Sequence, residues 1–258
     1  MRPIRLLLLS ALLFAPFAAR PEGQRTLTVA VAANLKPAFE ELAARFRAKN
    51  PGVEVKATYG ASGNFFAQLS NGAPFDLFLS ADADFPAKVV KQGLADGPAF
   101  TYAYGKLVVW VPKSSTLDLE KGGLTALTDP SVQKIAIANP EVAPYGRAAK
   151  AALEKAGLFE KLKGRIVEGQ SVSQAAQFVE SGNAQAGFVP LSLAKVPPLS
   201  EEGRFWLVPP ATHPRIEQAG VVLKGSKEAA LAHALATFLT SEAAREVLER
   251  FGYDLPVR

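Results

Sequence analysis

Apolar positions along the chain switch repeatedly between two periodicities. Residues 26–32 form a continuous β-prone run, and after Ala33-Asn34 the residues Leu35, Phe39, Leu42, Ala43 and Phe46 recur at helical spacing. The pattern predicts a strand, a tight turn and a helix. Asn34 suits an N-cap, and Pro37 falls in the first turn, where a missing amide hydrogen costs little. Pro51-Gly52 ends that helix and opens an alternating strand over 53–59. Gly60-Ala61-Ser62-Gly63 leads into a second helix over 64–69 with Ser62 as its cap, then come a strand over 75–81 and a helix over 84–92 that stops at Gly93. Further β-prone runs lie at 106–111, 135–138, 165–167, 186–191, 205–208 and 219–223, and helical patterns at 147–155, 171–180, 228–239 and 242–250. Ser171 with Gln174 three positions later has the spacing of a capping box. Strands alternating with helices in this way imply an α/β fold with mixed, mainly parallel sheets flanked by helices.

One apolar run stands outside this alternation. Leu6 to Phe17, broken only by Ser10 and Pro16, follows Arg2 and Arg5 and precedes the small residues Ala18 and Ala19. It is shorter than the roughly 20 residues a spanning helix needs, and its flanks are those of a secretory signal peptide covering 1–24, with cleavage between 19 and 25. A retained anchor is the alternative. The remaining chain of about 235 residues accommodates one large domain or two ordinary ones, and the order of motifs favours two lobes.

Composition narrows the function. Of the 29 Lys and Arg, Arg2 and Arg5 leave with the signal peptide, so the surplus over 24 acidic residues falls from +5 to about +3. The bases are scattered among acids, which argues against nucleic acid. The absence of cysteine excludes disulfides, thiolate metal sites, a cysteine nucleophile and a lipidated N-terminal cysteine. An exported chain without an anchor implies a periplasmic location. His213 and His233 are the two histidines, without an H-E-x-x-H pattern, so a zinc enzyme is disfavoured. No P-loop string occurs.

The informative regularity lies at four turns where a strand ends in small or polar residues and a helix opens: Ala33-Asn34, Ala61-Ser62-Gly63, Ala143-Pro144-Tyr145-Gly146 and Gln170-Ser171-Val172. Ligands of open parallel sheets sit beyond the carboxyl ends of the strands. Helix N-termini offer unpaired amide hydrogens and partial positive charge, which suits an anion. Each of these residues also has an ordinary reading. Ser62 or Asn34 can be a plain cap, Gly60 and Gly63 can serve a tight turn, Tyr145 can be a half-buried aromatic, and Asp82 and Asp84 can cap the next helix.

At these turns the sequence resembles the periplasmic molybdate-binding proteins, within the type II periplasmic binding fold. The strings carrying the resemblance are VAANLKPAFEELAARF, GASGNFFAQLSNGAPFDLFLSAD, FTYAYGKLVVW, IAIANPEVAPYGRAA, EGQSVSQAAQFVESGNAQAGFVPLS and FGYDLP, which follow the family's order over nearly all of the mature chain. The resemblance implies an oxyanion held by neutral donors in a cleft between two lobes, 25–103 plus 211–258 and 104–210, joined by two hinge strands. The matched positions are Ala33, Asn34, Ser62, Tyr145 and Val172. Ser62 would give its hydroxyl and an amide, Tyr145 its amide or phenol, and Val172 its amide. Ala33 stands where a Ser or Thr is common, so only its amide can serve, and Pro190 stands where some members have a ligand-contacting Tyr. These positions would touch molybdate or tungstate as an oxyanion, without ligating the metal directly. The implied partner is the membrane permease of an ABC importer, the protein acting as a monomer without a cofactor.

Sulfate, phosphate and ferric ion are rival ligands. A ferric site would use paired tyrosines and acids, whereas Tyr102 and Tyr104 lie on a strand-like hinge. The rival from another class is a hydrolase with Ser62 as nucleophile, but neither histidine falls near a matched turn and G-x-S-x-G is absent.

Overall fold

A computed structural model describes residues 25–257. The expected signal peptide, its cleavage point and Arg258 lie outside the described residues. The chain first builds β1 (Arg25–Ala32), α1 (Lys36–Lys49), β2 (Val53–Gly60), α2 (Ser62–Ser70), β3 (Leu77–Ser80), α3 (Asp84–Lys91) and β4 (Phe100–Gly105). It continues through β5 (Leu107–Pro112), α4 (Leu119–Gly122), β6 (Ile135–Ala138), α5 (Pro144–Lys155), α6 (Phe159–Leu162), β7 (Ile166–Gly169), α7 (Val172–Glu180), β8 (Ala186–Pro190), α8 (Leu191–Ala194), α9 (Leu199–Glu202) and β9 (Gly203–Leu207). It ends in β10 (Ile216–Val222), α10 (Ala229–Leu239) and α11 (Glu242–Arg250).

The strands form two five-stranded sheets of matching order, β2-β1-β3-β10-β4 and β7-β6-β8-β5-β9. In the first sheet β1 pairs in parallel with β2 and β3, while β10 runs antiparallel to β3 and β4. In the second, β6 pairs in parallel with β7 and β8, while β5 runs antiparallel to β8 and β9. Parallel and antiparallel pairings are therefore equally represented, a stronger mixture than strand-helix alternation suggests. The antiparallel member of each sheet is the strand that has just arrived from the other sheet, and it enters without the helical crossover that a parallel neighbour requires. The chain leaves the first sheet at Lys106, the single residue between β4 and β5, and returns to it between β9 and β10.

Burial on both faces explains why the inner strands read as continuous apolar runs. One face of the first sheet packs on α1, α10 and α11 through Leu35, Phe39, Leu42, Leu235 and Val247, and the other on α2 and α3 through Phe65, Leu69, Phe85 and Val89. The second sheet sets Val109, Ile135 and Ile137 against Ala148, Ala149, Ala152 and Leu153 of α5. Its opposite face sets Val108, Trp110 and Ala136 against Ala175, Val179, Ala194 and Leu199. No described helix is long and apolar enough to cross a membrane.

Candidate functional site

The helix starts are positioned by β-α turns at the carboxyl ends of β1, β2, β6 and β7, and the turns from the two sheets face one another. Ala33, Asn34, Ser62, Tyr145 and Val172 all line one small cavity, together with Gly60, Ala61, Ala81, Ala143 and Pro144. Asn34, Ser62 and Tyr145 are each buried to within 2% of full enclosure. Among the described residues no Lys, Arg, Asp or Glu lines the cavity, and Tyr145 is the one ionisable side chain that does. Burial holds that phenol well above its ordinary range, so it remains neutral and able to donate. Pro190, at the end of β8, lies outside the lining.

Two side chains expected as helix caps do other work. Asn34 lies in a 3-10 turn over Ala33–Leu35, and α1 begins beyond it with Leu35 as an N-cap that contributes no side-chain bond. Ser62 is the first residue of α2, whose N-cap is Ala61. The Ser62 hydroxyl instead accepts from the Ala81 amide at 2.9 Å. A hydroxyl that accepts one bond keeps its own hydrogen for another partner. Ser171 does act as expected, its Oγ accepting from Gln174 N at 3.4 Å, although the Gln174 side chain returns to the Gln170 amide at 2.6 Å. Asp82, one residue ahead of the N-cap Ala83, accepts from the Phe85 amide in the first turn of α3 at 3.1 Å.

Ser62 and Val172 open their helices, and Tyr145 is second in its helix. Their amides therefore have no intrahelical acceptor. Glycines allow these helix ends to come so close. A Cβ on Gly146 would lie 2.0 Å from the Ala138 carbonyl oxygen, and one on Gly63 would lie 2.9 Å from the Val142 Cα. The Gly63 amide donates to Val142 O at 2.9 Å, joining the two halves directly beside the cavity.

Gln218, Tyr253 and Ser192, not legible in the turn motifs, hold Asn34 from behind the cavity. Its Nδ2 donates to Gln218 Oε1 at 2.7 Å and to the Tyr253 hydroxyl at 2.9 Å. Its carbonyl oxygen accepts from Tyr253 Oη at 2.9 Å and from Ser192 Oγ at 2.8 Å. Both side-chain amide hydrogens are thus committed inside the protein, and Asn34 Oδ1 is buried without a protein partner. The available signals in the sequence were a glutamine directly before the apolar run 219–223 and a tyrosine in the string FGYDLP. At the rim, Arg147 pairs with Asp82 across the halves and stacks 5.4 Å over the Phe85 ring. The histidines lie away from the cavity: His233 meets Asp96 at 2.9 Å and His213 meets Pro214 O. Among the described residues no group of three or more His, Asp or Glu side chains could hold a metal ion.

The arrangement can enclose a small anion among neutral donors, and among the described residues no histidine or carboxylate lines the cavity beside Ser62. Comparison with known proteins identifies the family. The model of the bacterial extracellular solute-binding protein family matches residues 27–254. The molybdate-binding protein ModA of Azotobacter vinelandii is 41% identical over 88% of this chain and 89% of its own. That of Rhodobacter capsulatus is 40% identical over 91% and 90%. The solved structure of the periplasmic molybdate-binding protein of Azotobacter vinelandii superposes with a TM-score of 0.83 at 37% identity, covering 90% of this chain and all of that one. The family model spans both sheets and all four turns, and the chain belongs to the bacterial extracellular solute-binding protein family, a family of binding proteins and not of enzymes, built on the type II periplasmic binding fold.

Proposed function

We propose that the protein captures molybdate, and tungstate equally, in the periplasm and delivers it to the permease of an ABC importer. The observation that carries this reading is the convergence of Ala33, Asn34, Ser62, Tyr145 and Val172, from both halves of the molecule, on a cavity lined by no charged side chain. The anion would be held by the Ser62 hydroxyl and by amides of the matched turns, each hydrogen bond to a charged partner contributing about 1.5–3 kcal/mol. Convergence of several such bonds is needed to offset the dehydration of a dianion. In this reading the segments 25–103 plus 211–258 and 104–210 act as two lobes that close on the ligand, the usual switch of such folds. The protein acts as a monomer, and its first 24 residues direct export.

Neutral donors explain selection. A fixed guanidinium would attract sulfate and phosphate alike, whereas amides and a hydroxyl in a rigid cavity discriminate by the size of the ion. Molybdate and tungstate, nearly equal in size and charge, would not be separated. Parallel calorimetric titration with molybdate, tungstate, sulfate and phosphate tests the proposal. Tight binding of the first two and weak binding of the others is expected; preference for sulfate or phosphate would overturn it.

A further inference from the structure

Six of the seven buried polar side chains among the described residues, Asn34, Ser62, Ser80, Asp82, Ser192 and Gln218, gather around the cavity, Asp76 lying elsewhere. Within that group the orientation of Asn34 is dictated from outside the cavity. Gln218 Nε2 faces the carbonyl oxygens of Ala81 at 3.3 Å and Ile216 at 3.4 Å. Carbonyls accept only, so the glutamine must present its nitrogen to them and its oxygen to Asn34. Asn34 must then present its nitrogen to Gln218. Tyr253, whose hydroxyl hydrogen has the Asn34 carbonyl at 2.9 Å and Ser192 Oγ at 3.2 Å as acceptors, takes the remaining hydrogen of that same nitrogen on its oxygen. These constraints fix the orientation of both amides, Gln218 and Asn34.

Gln218 also sits where β10 changes register against β4, on the strand that brings the chain back from the second sheet. Ser192 comes from α8, beside the second sheet, and completes the set by bonding the Asn34 carbonyl. The same peptide turn is therefore held by its own lobe through Tyr253, by the returning strand through Gln218 and by the opposite lobe through Ser192.

We propose that Gln218 and Tyr253 are positioning residues for ligand capture: they hold the Ala33-Asn34 turn in the one orientation that aims its amides at the oxyanion, and Ser192 locks that turn when the lobes meet. The inference rests on the oxyanion-binding function proposed above. Neither residue lines the cavity, so their effect passes through Asn34.

The test uses the full chain and molybdate itself, titrated by calorimetry from pH 8 to pH 5.5. Tyr253→Phe keeps the ring and removes the hydroxyl, and should weaken binding about tenfold. Gln218→Glu supplies a carboxylate where a donor is required, and should bind far more weakly at pH 8. Protonation of that buried carboxyl restores a donor toward Ala81 O, so the ratio of its affinity to that of the natural protein should rise as pH falls, and it should do so at temperatures where the variant is fully folded at both pH values by its melt, which separates the effect from relief of a buried charge on stability. The titratable groups facing this position are Tyr102, Tyr145 and Tyr253, all held above their ordinary range chiefly by burial, with Asp82 and Arg147 beyond Ala81. A pH-independent ratio, or Tyr253→Phe within twofold of the natural protein, overturns the inference. Should Gln218→Glu lack a cooperative melt, Tyr253→Phe alone decides. Failure of the natural protein to bind molybdate would instead strike the proposed function.

Discussion

The hydrogen of the Ser62 hydroxyl is the clearest case of a donor left over for a guest. Its oxygen accepts from Ala81 N, its side chain is buried, and its helix takes no cap from it. Replacement by alanine removes the donor and also strips the Ala81 amide of its acceptor. Ser62→Ala should therefore weaken molybdate binding by about 1.5–3 kcal/mol, with a smaller loss of stability, read as a shift in calorimetric affinity beside a retained cooperative melt. Unchanged affinity would remove Ser62 from the site. Residue type alone could point to Ser62, because a small hydroxyl residue in a strand-to-helix turn is either a cap or a ligand donor. It could not choose between the two, since the choice depends on where Ala81 lies, nineteen positions along the chain. Asn34 shows the same limit more sharply: its Nδ2 is consumed by Gln218 and Tyr253, 184 and 219 positions away.

At the level of elements, much of the fold was legible because strands buried on both faces read as unbroken apolar runs and helices keep their period. The strand at 135–138 and the helix at 242–250 were predicted with the bounds observed for β6 and α11. Single-turn helices such as α6 and α8 were not, because four residues carry too little periodicity to stand out. The early start of α5 was also missed: the pattern begins at Arg147, yet the helix opens at Pro144, where proline's fixed φ and missing hydrogen fit the first helical position. That extra turn is what brings Tyr145 to the cavity. Gly146 makes it possible, since any side chain there would strike the backbone of Ala138 and Asn139. Gly146→Ala should cost about 2–3 kcal/mol in denaturant unfolding and weaken molybdate binding, as α5 shifts off β6. Gly164→Ala, where a Cβ meets nothing within 4 Å, should stay within about 0.5 kcal/mol. Equal effects from the two substitutions would show that helix docking is not the cause.

For the whole molecule, the two halves are held together around the cavity by a small number of polar bridges. Gly63 N to Val142 O and Ser192 Oγ to Asn34 O flank the site, Lys195 Nζ reaches Arg250 O at 2.7 Å on the outside, and Arg147 meets Asp82 at the rim. Only the last of these can be switched by pH in the acid range. Burial pushes the Asp82 carboxyl above its ordinary value of 3.8, outweighing the bonds from Phe85 N and Ser80 and the charge of Arg147. Since the folded pKa exceeds the unfolded one, the fold binds this proton preferentially. Above the raised value the buried charge costs stability in full, and that cost disappears as pH falls through the window down to about 3.8. Acid therefore relieves the strain of burial on the fold while dissolving the bond that holds Arg147. The predicted signature is a separation of two measurements that usually move together: on acidification, molybdate release measured by stopped flow should quicken at a pH higher than an exposed carboxylate would set, without a matching loss of stability from this group. Asp82→Asn should release molybdate severalfold faster at neutral pH, a cost of about 1 kcal/mol because the half-exposed guanidinium regains water. The variant should also lose the acid-dependent rise in release. An identical acid profile in the variant would assign the effect to the ligand or to another group and rule out the Arg147–Asp82 pair as its cause.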